Sequence, residues 1–122
     1  MSVEWVRQHC LSFPHATEQV QWVKDLVFKI GGKMFAVTTL EPGDHLFSFK
    51  CTPEMFGELT ERPGIVPAPY LARANWVAFQ HADALPRAET KKLLRQSYDL
   101  VFAGLPKRAQ AELSGKPALP RL

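Results

Sequence analysis

Residues 28–35 read FKIGGKMF, two apolar stretches joined by a pair of glycines. Gly31 and Gly32 make a two-residue loop of the kind that accepts positive φ, so the flanks are expected to pair as an antiparallel hairpin. Ile30 then faces Lys33, and Phe28 faces Phe35. Strict alternation away from that turn places Leu26, Phe28, Ile30, Phe35 and Val37 on one side of the ribbon. Val27, Lys29, Met34, Ala36 and Thr38 fall on the other, a mixed face that need not be fully buried.

Outward from the hairpin, residues 18–22, 26–30, 33–40 and 45–51 alternate as strands. The gaps between them are too short for parallel crossovers, so they read as an antiparallel meander. Glu41, Pro42, Gly43 and Asp44 suit a type II turn, with proline second and glycine third. Ahead of the meander, Ser2 can cap a helix whose Val3, Val6 and Cys10 share one stripe, ended by Phe13 and Pro14. Behind it, Thr52, Pro53 and Glu54 open a helix that buries Met55, Phe56 and Leu59. Prolines 63, 67 and 69 with Gly64 then make residues 61–70 a connection rather than a strand, packed by Ile65, Val66, Tyr70 and Leu71. Residues 75–80 join as a further strand. Pro86 opens the longest helix, with Leu93, Leu94, Tyr98, Val101 and Phe102 at core spacings, and Gly104 closes it. KRAQAEL, residues 107–113, suggests one more short helix.

The reading is an α+β domain in which an antiparallel sheet of about five strands, mostly meander, carries helices on one face. At 122 residues the chain fits a single domain over residues 1–122, with 113–122 a frayed tail. The N-terminus lacks the pattern of a secretory signal, and no apolar run has the length of a membrane span. With two cysteines far apart, Cys10 and Cys51, the expectation is a cytoplasmic monomer with free thiols. The formal charge of +3 is uneven: residues 86–122 carry +5 and residues 1–85 carry −2. Such asymmetry favours an anionic partner.

GGK at residues 31–33 is not a phosphate-binding loop, because Val27 stands where the earlier glycine belongs, Met34 follows the lysine, and the flanks are strands. His9, Cys10, His15, His45 and Cys51 lack the paired spacing of a metal site, and no cofactor motif is present. Ser97, Cys10 and Cys51 have no base at a recognisable spacing, while Glu58 and Glu61 read as solvated carboxylates, so no enzyme is expected. The cations form the stronger pattern. Arg87, Lys91 and Arg95 recur every four residues along one helix, Lys29 and Lys33 flank the hairpin tip, and Arg73 and Asn75 precede a strand in a stiff loop. Lys107 and Arg108 sit at a helix start, against the local dipole.

The order of FPHATEQVQW, DLVFKIGGKMFAV, PAPYLARANWVAF and LLRQSYDLVFAGLPKR resembles the MmcQ/YjbR family of small bacterial proteins, over nearly all of residues 2–110. The resemblance implies a frataxin-like α+β fold and a double-wing, DNA-binding role. The resemblance carries over the hairpin, with Lys29 and Lys33, and the loop, with Arg73 and Asn75; together with the stripe of Arg87, Lys91 and Arg95, which is this sequence's own feature, these are the contacts expected against double-stranded DNA. About five engaged phosphates would give a logarithmic salt slope near −4 to −5. The alternative is a small-anion or protein-partner module built on residues 67–76. The two differ in geometry: the first needs hairpin, loop and helix stripe on one face.

Overall fold

The glycine hairpin forms at its tip as the sequence predicts, then departs from strict alternation two residues below it. The computed structural model describes residues 2–22, 24–40, 46–69, 71–81 and 83–114. In chain order these form α1 (Val3–Leu11), β1 (Thr17–Gln21), β2 (Asp25–Ile30), β3 (Lys33–Thr39), β4 (Phe47–Lys50), α2 (Pro53–Leu59) and β5 (Ile65–Pro67). A 3₁₀ turn (Ala72–Ala74), β6 (Trp76–Phe79), α3 (Arg87–Ala103) and α4 (Lys107–Leu113) follow. The expected turn at residues 41–44, the packing of Tyr70 and the frayed end beyond residue 114 lie outside the described residues.

Ile30 pairs with Lys33 and Lys29 with Met34, but Phe28 pairs with Ala36 instead of Phe35. Phe35 is the extra residue of a β-bulge, which turns two successive side chains toward one side. Phe35 and Ala36 therefore both enter the main core, and Val37 moves to the opposite face. Gly31 and Gly32 take φ of +61° and +82°. At Gly31 a side chain is also excluded by packing, since a Cβ would stand 2.6 Å from Leu105 Cδ1. Leu105, in the α3–α4 connection, thus packs beside Gly31, while Gly31, Gly32 and Lys33 stay exposed.

All pairings are antiparallel, in the order β1-β2-β3-β4-β6-β5. The sixth strand, β5, is the one the prolines hid. It lies at the sheet edge, where Pro67 needs to donate no ladder bond on its outer side. Helices α1, α2 and α3 cover one face, burying Val6, Cys10, Leu59, Leu93, Leu94 and Tyr98 against Phe28, Phe35, Phe49 and Phe79. Ser2 caps α1 by accepting from Trp5 N, and Thr52 caps α2 by accepting from Met55 N, with Pro53 in the first turn. On the other, open face only a small cluster forms, with Trp76, Ala68 and Ala78 packed by Met34, Val37, Val66 and Leu71. Among the described residues no helix is long and apolar enough to cross a membrane.

Candidate nucleic-acid interface

The four-residue spacing of Arg87, Lys91 and Arg95 meets an equal spacing of rings on α1 and its exit. Trp5 stacks on His9 with ring centroids 5.5 Å apart, and His9 meets Phe13 edge-on at 5.0 Å. The Arg87 guanidinium lies 5.7 Å from the Trp5 ring, and that of Arg95 lies 5.4 Å from Phe13 and 5.0 Å from Tyr98. Lys91 stands between them, beside His9. Two ladders of one helical repeat run side by side, with the two arginines held over aromatic faces and Lys91 next to the His9 rung. The stripe is exposed along its length.

Its members are not electrically equivalent. Arg95 donates to Asp99 at 3.0 Å, which neutralises part of its charge. Every ion pair among the described residues uses an arginine: Arg7 with Glu4 and Glu18, Arg62 with Glu58 and Glu89, Arg95 with Asp99, and Arg108 with Glu112. Arg87, Lys91 and the neighbouring Lys92 take part in none of them. Lys33 is opposite Ile30, a core residue, so it leaves the hairpin on the helical side as well.

The remaining predicted contacts are on the other side of the sheet. Lys29 alternates with the core residues Phe28 and Ile30 and donates to Gln19 Oε1 at 2.9 Å across the open face. Arg73 and Asn75 belong to the segment that folds over that face, where Lys50 Nζ donates to the Ala74 carbonyl at 2.8 Å. Asn75 ends the 3₁₀ turn at φ 65°. The sheet therefore separates Lys29, Arg73 and Asn75 from Arg87, Lys91 and Arg95, and the single surface required of all seven is not formed. Sequence pattern alone does not single out Lys50 or Lys92, whereas the spacing of Trp5, His9 and Phe13, which matches that of the cations, is the signal for the ring ladder.

Burial pushes the thiols of Cys10 and Cys51 up to about 12, so both are protonated and poor nucleophiles near neutrality. Ser97 is fully buried, and its hydroxyl donates to the Phe35 carbonyl at 2.6 Å while accepting from Lys50 N at 3.0 Å. It is a structural hydroxyl. Among the described residues no three His, Cys, Asp or Glu side chains gather as a metal site.

His9 is the titrating member of the ladder. Burial holds its imidazole below the usual histidine range, opposed by a contact with the Lys91 backbone and reinforced by the Lys91 charge. Its buried Nε2 has no hydrogen-bond partner. A folded-state value below the unfolded one means the unfolded chain binds more protons, so stability is present above about pH 6.5 and is lost as pH falls below it. Thermal melts should therefore show a drop in Tm between about pH 7.5 and about pH 5.5 that is reduced in His9→Phe. Equal drops in both proteins would exclude His9 as the source.

A family model described as YjbR matches residues 11–100. The chain is 30% identical over 86 residues to the uncharacterized protein YbdF of Escherichia coli O157:H7, covering 69% of this chain and 70% of that one. The crystal structure of Deinococcus radiodurans protein DR2400, described as a DUF419 domain, superposes with a TM-score of 0.82 at 32% identity, covering 98% of this chain and 92% of that one. A protein from Pseudomonas syringae shares the fold at a TM-score of 0.66 and 21% identity, over 83% of this chain and 99% of that one.

Proposed function

The chain belongs to the YjbR family, and from that premise we propose that it is a non-enzymatic module binding duplex DNA through the helical side of its sheet. The observation that carries this reading is the exposed ridge of Arg87, Lys91 and Arg95, with Arg87 over Trp5 and Arg95 over Phe13 and Tyr98, and with two of the three cations in no ion pair among the described residues. Cations braced on rings lose less freedom when they meet a phosphate. The hairpin enters mainly as a scaffold, with Leu105 against Gly31 and the exposed Lys33 at its rim. The engaged cations are then fewer than seven, and about three phosphates give a salt slope near −3.

The test is a DNA titration at several salt concentrations. The pair Arg87→Glu and Lys91→Glu should abolish binding at about 0.1 M salt, because it replaces two attractions by two repulsions. The open-side pair Lys29→Glu and Arg73→Glu should leave affinity within about threefold, since those charges lie beyond the sheet. The opposite ranking, or no binding by the unmodified chain at low salt, overturns the helical-side interface. A second reading rests on the open side, where Lys50, Arg73 and Asn75 adjoin and take part in no ion pair among the described residues. A small anion held there would protect against thermal unfolding, and Arg73→Glu would remove that protection.

A further inference from the structure

Among the described residues the sheet has two unpaired edges, and they are built differently. β5 offers three residues and includes Pro67. β1 offers five, Thr17–Gln21, with no proline, lysine or bulge along it, and its first four residues are exposed. Natural edge strands are normally blunted by one of those devices. At the end of β1 the apolar side chains of Val20 and Trp22 are 55% and 59% exposed. Trp22 does this from a left-handed backbone at φ 53°, which a bulky residue adopts only at a cost of about 1 kcal/mol or more.

We propose that β1 pairs antiparallel with β1 of a second copy, joining two six-stranded sheets into one. Charge and register favour a second copy as the occupant. With Gln19 at the centre, Gln19 meets Gln19, Glu18 meets Val20, and Thr17 meets Gln21, so no like charges stand directly opposite. The strand's one charge, Glu18, is already neutralised by Arg7 through two contacts of 2.8 Å. Those same hydrogen bonds hold the Glu18 carboxyl below its usual range. The pairing brings the end of each β1, where Trp22 is exposed, next to the start of the other copy's β1. An antiparallel pair within one sheet is related by a two-fold axis perpendicular to that sheet. Both helical layers therefore lie on one side of the joined sheet, and with them both Arg87–Lys91–Arg95 ridges.

A five-residue edge buries less than the roughly 800 Å² per partner of a stable interface. Self-association is accordingly expected at dissociation constants on the order of 10–100 μM. It does not depend on DNA, so it is measured without it. In sedimentation equilibrium the mass should rise from one chain toward two between about 5 μM and about 1 mM protein. The double variant Gln19→Lys, Val20→Lys should remain at one chain throughout, with self-affinity weakened at least about tenfold. Amide exchange at residues 17–21 of the unmodified protein should slow as concentration rises, a readout that needs no variant. A single-chain mass up to about 1 mM, an unchanged dimer in the lysine variant, or exchange at 17–21 independent of concentration overturns the proposal.

Discussion

Ser97→Ala is expected to destabilise the fold by about 2–5 kcal/mol, although it removes a single oxygen. The registered pairs between β3 and β4 stop at Ala36 and Phe49. The next rung would join Phe35 and Lys50, and the Ser97 hydroxyl stands there instead, donating to one strand and accepting from the other. Alanine leaves an N–H and a carbonyl without this partner inside an apolar core, and each unsatisfied group costs about 1–3 kcal/mol. The measurement is the midpoint of urea unfolding at constant m-value. A loss below about 0.5 kcal/mol would mean that the strands close this gap without α3.

The bulge at Phe35 makes the second large prediction, because it inverts what alternation assigns to two neighbours. Ala36 faces Phe28 and Phe49 in the core and is fully buried, whereas Val37 is half-buried on the open face. Ala36→Gln should cost about 3 kcal/mol or more, by overpacking and by burying an amide without partners. Val37→Thr should cost no more than about 1 kcal/mol, its added hydroxyl reaching water. Under unbroken alternation the ranking reverses. Denaturant midpoints of the two variants therefore decide the register, and a larger loss for Val37→Thr would exclude the bulge.

What could be read from the chain follows the range of the forces involved. Helix starts at Ser2 and Thr52 and the hairpin tip at Gly31 and Gly32 are set by contacts within four residues, and they stand as the local pattern implies. The bulge is not local: Phe35 leaves the alternation for a pocket made by Phe13 and Tyr98, residues distant in sequence. β5 was hidden for a different reason, since prolines exclude a central strand but not an edge, and the sequence does not show which strands become edges. The cations show the same limit. Four-residue spacing put Arg87, Lys91 and Arg95 on one ridge, but which side of the sheet received Lys29 and Arg73 depended on strand register and on how the loop at residues 68–75 closes.

The strand order carries a consequence for biosynthesis. β6 enters between β4 and β5, so β5, which leaves the ribosome first, has no partner until its successor arrives. Ser97 comes later still, and with it the hydroxyl that bridges β3 to β4. Hence a nascent chain can assemble the first four strands early, yet the sheet waits for β6, and its bridge at Ser97 waits until most of α3 has been translated. The aromatic core of the meander waits through that interval for its cover, and it is there that a chaperone would find most to hold.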